Sequence, residues 1–144
     1  MTLEKDQKHF FDSVLITEIK EYGIIFRLYK NRIFHVIIPP NRKVGIENIE
    51  TGYRILDENG GGKYYNIYQF NYLSDVEPEV REWAASQIGN HYTFCDAIVI
   101  KNWGQKIMTD FYLKFNKPKM PTKIFYSVEK AYDWIKEFRK VNTK

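Results

Sequence analysis

The chain has little of what several protein classes depend on, with one cysteine and three histidines among its 144 residues. A lone cysteine, Cys95, cannot form an internal disulfide, which is typical of a reducing compartment. No apolar run approaches the roughly 20 residues that a membrane-spanning helix needs, and the charged start, Met1–Asp6, has no apolar signal core. The sequence therefore predicts a cytoplasmic protein without an integral membrane segment.

Residues that build catalytic or metal sites are also sparse. His91 and Cys95 together are too few for a structural zinc site. Cys95 opens an apolar strand, where cysteine usually behaves as a small buried hydrophobe. Glu77, Glu79 and Glu82 fall in the first turns of a predicted helix, where the helix dipole favours acids. We predict no catalytic residues, no metal and no cofactor, and hence a protein that is not an enzyme.

Aromatic residues make up 17% of the chain, and some of them alternate with basic residues. Tyr29 stands between Arg27 and Arg32 on a predicted hairpin, a pattern that also occurs where open sheets stack nucleic-acid bases. The glycine and aromatic spacing of an RNA-recognition motif is absent, however. Tyrosine often lies half-buried with its hydroxyl in water, which explains the pattern, and we predict no nucleic-acid binding.

The net charge of +4 is unevenly distributed along the chain. Residues 101–144 carry 11 Lys/Arg and 4 Asp/Glu, whereas residues 1–100 carry 11 basic and 14 acidic groups. A basic third attracts an acidic protein, a phosphate or a membrane surface. These lysines are spread out and not clustered, which favours solvated helix faces.

From Lys63 onward, strand-like and helix-like segments alternate three times. Dense β-formers predict strands at Tyr64–Phe70, Cys95–Ile100 and Lys123–Phe125, each followed by a segment of helical period. This order predicts a sheet with crossover helices, because parallel neighbours need a long connection. The first predicted helix of this part covers residues 77–88. The second covers residues 103–115, with Asn102 as its cap and a buried stripe of Ile107, Met108, Phe111 and Phe115. The last has Ser127 as its cap and a buried face of Ala131, Trp134, Ile135 and Phe138.

The first half of the chain predicts a strand, a hairpin and a helix. The strand is Asp12–Lys20, and the hairpin joins Gly23–Tyr29 to Ile33–Ile38. Apolar residues at three- and four-residue steps predict a helix over residues 46–58. The glycines of Asn59–Gly62 end it and are not a phosphate cradle, since they follow a helix and no Gly-Lys-Ser/Thr comes after them.

Together these segments predict a flexible lead over residues 1–11 and a single α/β domain over residues 12–141. The expected architecture is a mixed sheet of about five strands with an N-terminal hairpin and four helices. This order resembles the STAS domain, the fold of anti-sigma-factor antagonists, and the bacterial STAS/SEC14-like small proteins. The segments that carry the likeness are Asp96–Asn102, Lys117–Phe125 and Ser127–Ile135.

The resemblance implies a non-catalytic regulatory or protein-interaction module. The alternative, implied by the SEC14-like likeness, is a carrier of a small apolar or lipid-like ligand. In the antagonist family a partner kinase phosphorylates a Ser or Thr just before a helix, and the matching stretch here is Asn71–Val76. The resemblance thus implies Ser74 and Asp75 as a phosphosite or partner loop, and Tyr72, Leu73, Asn102 and Trp103 as a partner surface. The residues alone favour Ser74 as an ordinary helix N-cap, within the capping box Ser74–Glu77.

The hairpin strand at residues 23–29 alternates Ile24, Phe26 and Leu28 on one face with Ile25, Arg27 and Tyr29 on the other, and the next strand is apolar on both sides. If all helices cover one face of the sheet, a partner subunit, the N-terminal strand or a lipid-like ligand must bury the second face. On that premise we predict self-association as a homodimer, or binding of a small apolar ligand.

Overall fold

The chain folds around a mixed sheet with an antiparallel half and a parallel half. The computed structural model describes residues 11–84 and 91–142. The strands are β1 Leu15–Glu21, β2 Ile24–Tyr29, β3 Ile33–Ile38, β4 Lys43–Val44, β5 Tyr64–Phe70, β6 Asp75–Val76, β7 Thr93–Val99 and β8 Thr122–Phe125. The helices are α1 Ile46–Glu58, α2 Pro78–Ala84, α3 Trp103–Phe115 and α4 Val128–Asn142.

Six strands form the main sheet in the order β1-β2-β3-β5-β7-β8, and β4 pairs with β6 separately. The pairs β1–β2 and β2–β3 are antiparallel, whereas β3–β5, β5–β7 and β7–β8 are parallel. The long connections that parallel pairing requires contain α1, α2 and α3, as the alternating pattern predicts. The predicted α/β class, with a mixed sheet, an N-terminal hairpin and four helices in the described part, is confirmed.

The β2–β3 turn is tied to the glycine run that follows α1. Arg32 has a left-handed backbone with φ of +72°, and its guanidinium donates to the carbonyls of Gly61 at 2.7 Å and Lys63 at 2.8 Å. The same guanidinium lies 4.0 Å from the ring centre of Tyr64. These contacts hold a conformation that non-glycine residues rarely adopt, so the hairpin and the end of α1 form one unit.

Helices cover both faces of the sheet. On one face, Ile55 and Leu56 of α1 and Val80 of α2 pack against side chains of β2 and β3 such as Phe26 and Phe34. On the other face, α4 buries Ala131 and Ile135 against a second cluster, formed by Tyr65, Ile67, Cys95, Ala97 and Val99. The premise that all helices share one face is therefore wrong, and self-association stays a prediction without that support.

Most predicted bounds agree with the structure. The helices over 46–58 and 103–115 and the strand Tyr64–Phe70 have the predicted ends. The main sheet has six strands instead of about five, because the N-terminal strand pairs with the hairpin. Residues 85–88 of the helix predicted over 77–88, and residues 1–10 of the predicted lead, lie outside the described residues. Phe11 packs edge-on against Tyr29, with ring centres 5.1 Å apart.

Two of the predicted helix caps are confirmed, and the third is wrong. The Asn102 side chain accepts a hydrogen bond from the Gln105 amide at 3.0 Å, and Ser127 accepts one from the Lys130 amide at 3.1 Å. Ser74 does not cap α2. The Val80 amide donates to the Glu77 carbonyl at 2.9 Å, so the helix begins after Glu77, while residues 75–76 form β6.

Candidate functional site

The apolar stripe of α3 faces outward. We predicted its side chains to be buried, yet Tyr112 is the buried residue of this helix. The exposed fractions are 70% for Trp103, 54% for Ile107, 58% for Phe111 and 60% for Phe115. Met108 is also exposed, so the prediction of a buried stripe is wrong at all four of its positions. The helix turns Gln105, Thr109 and Tyr112 inward, toward a cavity with a polar wall.

A short loop between β5 and β6 adjoins the start of α3. The Gln105 side-chain amide donates to the carbonyls of Asn71 at 2.7 Å and Ser74 at 3.2 Å. Leu73 is 76% exposed and has a φ of +60°, a conformation that costs about 1 kcal/mol or more for such a residue. We call Leu73 together with Trp103, Ile107, Phe111 and Phe115 the docking face.

The structure brings the sequence-predicted site residues together at this junction. Tyr72 and Leu73 are exposed on the loop, and Trp103 is exposed at the start of α3. Asn102 is the N-cap of α3. Asp75 lies in β6, and its carboxylate accepts a hydrogen bond from the Val76 amide at 2.7 Å.

Ser74 is buried beneath that loop, with 3% of its surface exposed. Its hydroxyl donates to the Asn71 carbonyl at 2.6 Å. It therefore supports the loop instead of the helix, which is why the capping prediction fails. Phosphorylation of Ser74 stays a prediction, and it requires the loop to open, because the hydroxyl is enclosed.

Lysines border the docking face. The Lys114 ammonium lies 5.6 Å from the ring centre of Phe115, and that of Lys106 lies 5.9 Å from the ring centre of Trp103. Lys106 also pairs with Asp110 on the same helix. Lys114 and Lys117 form no ion pair with another described residue. The rim of the docking face thus carries uncompensated positive charge at Lys114.

A cavity of about 390 Å³ lies beneath α3, between this helix, α1, α2 and one face of the sheet. Much of its lining is apolar and comes from β2, β3, β7 and α1, including Phe26, Phe34, Val36, Ile38, Leu56 and Ile98. Three tyrosines also line the cavity, namely Tyr53, Tyr68 and Tyr112. A space of this size and lining suits a small organic molecule.

One wall of the cavity carries a polar pair on neighbouring strands. Asn66 of β5 and Asp96 of β7 are register partners. The Asn66 amide donates to Asp96 at 2.9 Å and to the Thr93 hydroxyl at 3.2 Å. Among the described residues, the side-chain oxygen of Asn66 and the side-chain nitrogen of Asn48 have no hydrogen-bond partner. Buried polar groups are normally paired, so this wall is prepared for a further contact.

The Asp96 carboxyl titrates far from its ordinary range. Burial raises its pKa from 3.8 to about 6, although the hydrogen bond from Asn66 acts in the opposite direction. Burial raises the pKa of Tyr53 to about 12 and raises the pKa of Tyr112 further. In both cases the Asp96 charge adds to the effect. At neutral pH the cavity therefore contains a carboxylate among neutral phenols.

Sequence reasoning missed this polar pair. Asn66 interrupts the aromatic and aliphatic run Tyr64–Phe70, and Asp96 interrupts Thr93–Val99. A single polar residue inside an otherwise apolar, parallel strand is the signal that could have found both, because such a strand is normally apolar on its two faces.

Cys95 and His91 do not form a reactive pair. Cys95 is fully buried against α4, and burial raises the pKa of its thiol to about 12, with the Asp96 charge adding. His91 is exposed. Within residues 11–84 and 91–142, no group of three or more His, Cys, Asp or Glu side chains is placed to hold a metal.

On the opposite face, His35 is buried and shares a hydrogen bond of 2.7 Å between its Nε2 atom and the Gln69 side-chain oxygen. Burial lowers the pKa of His35 to about 4, and the nearby Arg27 charge adds to this, while the Gln69 contact opposes it. This imidazole is therefore neutral at physiological pH.

None of the helices in the described part of the chain has both the length and the apolar character that crossing a bilayer demands.

Comparison with known proteins gives a family and a structural likeness. One similar solved structure is that of an uncharacterized protein from the DUF3478 family with a SpoIIAA-like fold, from Shewanella loihica PV-4. The two chains are 15% identical, with a TM-score of 0.49, over 84% of this chain and 91% of that chain. No curated protein matches the sequence. The model of a domain of unknown function, DUF7793, matches residues 26–139, and the chain belongs to that family.

Proposed function

We propose that this protein is a non-catalytic, cytoplasmic interaction module of the STAS type, and that its docking face binds an acidic amphipathic helix of a partner protein. The observation that carries the proposal is the outward-facing apolar stripe of α3. Four large side chains at four-residue spacing form one continuous ridge along a 13-residue helix.

Such a continuous apolar ridge is unusual on the solvent-exposed surface of a monomeric protein. Scattered exposed apolar residues are ordinary, but a continuous patch marks an interaction site. Trp103, Phe111 and Phe115 belong to the residue types that dominate binding energy at protein interfaces. The ring centres of Phe111 and Phe115 lie 4.2 Å apart, so the two rings pack against each other on the helix surface. A partner helix packed along α3 would bury this ridge.

Charge selects the kind of partner. Lys114 and Lys117 have no acidic partner in the described residues, and the last 44 residues of the chain are strongly basic. Two copies of the docking face brought together would place like charges side by side, which costs free energy. An acidic helix instead gains electrostatic attraction along the rim. The charges therefore favour a different protein over the predicted homodimer.

The predicted phosphorylation of Ser74 supplies a way to regulate this contact. A phosphate on the Ser74 hydroxyl displaces its hydrogen bond to Asn71 and adds charge next to Asp75, which repels it. Because Gln105 bonds the same loop, we propose that phosphorylation loosens the junction between the loop and the docking face. In the titration below, Ser74→Glu is expected to weaken binding.

A fluorescent 18-residue amphipathic peptide with leucines on one face and glutamates on the other tests the proposal by anisotropy titration. We expect it to bind, with affinity that falls as salt rises. Phe111→Ser should weaken binding about tenfold or more. Val141→Ser is the control, because Val141 is an exposed apolar residue on a different helix, α4, and it should leave the affinity unchanged.

Three further outcomes decide against the acidic helix. A peptide with the same leucines but lysines in place of glutamates should not bind, and equal binding of both peptides would remove the electrostatic part of the proposal. Sedimentation of a wild-type dimer that Phe111→Ser dissociates would assign the docking face to self-association. Recruitment to vesicles of anionic lipid, lost in Phe111→Ser, would assign it to a membrane surface.

The second candidate function, a carrier of a small apolar ligand, is favoured by a different observation, the cavity beneath α3.

A further inference from the structure

We infer that the cavity beneath α3 binds a small aromatic molecule with N–H donors, such as an amidine or amine, through the Asp96 carboxylate and the Asn66 side-chain oxygen. The cavity lies on the inner side of α3, and Leu73 is the one docking-face residue that also lines it. Binding of a ligand there therefore stands or falls independently of the acidic partner.

The size and lining of the cavity suit such a ligand. Its volume of about 390 Å³ lies within the range of roughly 300–1,000 Å³ that is typical of small-molecule sites. Phe26 and Phe34 stack against each other on the sheet side, with ring centres 6.0 Å apart. Tyr53 and Tyr92 also line the cavity, and their ring centres lie 4.2 Å apart. A flat apolar body is the shape that such walls accommodate best.

The polar wall of the cavity offers acceptors for a hydrogen-bond donor of the ligand. Both N–H groups of Asn66 are used, by Thr93 and Asp96, so its oxygen remains as an acceptor without a partner in the described residues. Asp96 is a second acceptor on the neighbouring strand, directly in register. Asn66 is 2% exposed, and a buried acceptor gains most from a donor. Two acceptors side by side match the parallel N–H groups of an amidine.

The charged groups that face Asp96 do not neutralise it. Tyr53 from α1, Tyr68 from β5 and Tyr112 from α3 are its neighbours in the cavity, and the Asp96 charge raises the pKa of each. Arg81 also lines the cavity, but it donates to the Val76 carbonyl at 3.2 Å and lies 4.0 Å from Asp75.

These surroundings discriminate between ligand classes. A cationic N–H group compensates the Asp96 charge and also gains from the faces of the tyrosine rings. A fatty acid or other carboxylate would instead bring a second negative charge into the same space. The site therefore differs from what a carrier of fatty acids requires. Asn48 of α1 adds one free donor for an acceptor atom of the ligand.

Two probes with the same bicyclic ring and opposite charge test the assignment, namely 2-naphthamidine and 2-naphthoate. Calorimetry at pH 7.5 should show binding of 2-naphthamidine and none of 2-naphthoate. Asp96→Asn keeps the shape of the side chain but removes its charge, and should weaken 2-naphthamidine binding at least about tenfold. Asp133→Asn is the matched control, since Asp133 is exposed on α4, and should leave binding unchanged.

A second variant and a second condition guard against a folding defect. Ile98→Phe narrows the cavity without touching Asp96, and should abolish binding while the circular dichroism spectrum stays that of the wild type. Lowering the pH from 7.5 to 5 should weaken 2-naphthamidine binding as Asp96 takes up a proton. Absence of binding, equal binding of both probes, or unchanged affinity in Asp96→Asn would each overturn the inference and leave a cavity that holds water only.

Discussion

Asp96 shows how a single position can trade stability for a binding group. Its neighbours in β7, Cys95 and Ala97, face α4 and are fully buried, whereas Asp96 faces the cavity. A carboxylate held there loses water without gaining a cation, and this loss of hydration raises its pKa. Groups of this kind are typical of binding sites, where stability is commonly sacrificed.

Asp96→Asn is therefore expected to stabilise the protein at neutral pH. The pKa is about 6 in the folded chain and 3.8 when unperturbed, so the ionised carboxylate destabilises the fold by up to about 3 kcal/mol. Because the folded-state pKa is raised, the wild-type protein avoids this cost below pH 4, where Asp96 is protonated. It loses that stability as the pH rises through 6. Urea unfolding at pH 7.5 and at pH 4 measures the difference between variant and wild type.

The gain should be largest at pH 7.5 and disappear near pH 4. Asp133→Asn serves as the control, since it removes an equal charge at an exposed position and should shift stability little at either pH. A variant Asp96→Asn that is less stable than the wild type at pH 7.5 would show that the carboxylate is compensated.

Helix α3 marks the boundary between what the sequence predicts and what it cannot. Period and caps place the ends of the helix correctly, because Asn102 and the spacing of apolar residues are local signals. The same spacing shows that Ile107, Phe111 and Phe115 share a face, but it does not say what covers that face. The core beneath α3 is a cavity with a polar wall, and only the packing of α1 and the sheet determines this.

The site residues divide in the same way. The exposed residues Leu73 and Trp103 were predicted from the family resemblance, since they lie next to a helix start that motifs can locate. Asn66 and Asp96 were missed, because their meaning depends on strand register across β5 and β7, and register is a long-range property. For the same reason Ser74 was mistaken for a helix cap: the pairing of β6 with β4 takes up the residues that the capping box required.

Gln105 joins α3 to the loop of residues 71–74 and should control how firmly the docking face is held. Its side chain donates to Asn71 and Ser74 and accepts a hydrogen bond from the Lys101 amide at 2.7 Å. Gln105→Ala removes these bonds and should lower the free energy of unfolding by about 1–3 kcal/mol. Hydrogen exchange should become faster in the loop and in the first turns of α3 before it changes elsewhere.

Lys114→Ala provides the comparison, because Lys114 is exposed on the same helix and does not contact the loop. Its exchange pattern should match that of the wild type. If Gln105→Ala accelerated exchange equally across the sheet, the glutamine would act on the whole fold and not on this junction.

The sheet separates the half-buried Asp96 from the buried His35, two titratable groups that respond to acid in opposite directions. Asp96 lies on the face covered by α1, α2 and α3, and His35 lies close to Phe11 on the other side, with ring centres 5.4 Å apart. His35 has a pKa of about 4 in the fold and 6.5 when unperturbed. Its neutral state therefore supports folding above pH 6.5, and this support is lost as the pH falls from 6.5 through 4.

Between pH 6 and pH 4 the two groups offset each other, since acid relieves the Asp96 carboxylate while it penalises His35. The Asp96→Asn variant removes one of them, and should lose more stability than the wild type when the pH falls from 6.5 to 4. Adding His35→Gln, which keeps a polar group near Gln69, should reduce that loss by up to about 3 kcal/mol. Urea unfolding across this range measures the slopes. The charged residues that line the pocket beside His35 are Asp12, Arg27 and Glu129, and both proteins retain them. Equal slopes of stability against pH with and without His35 would therefore mean that the imidazole becomes protonated inside the fold.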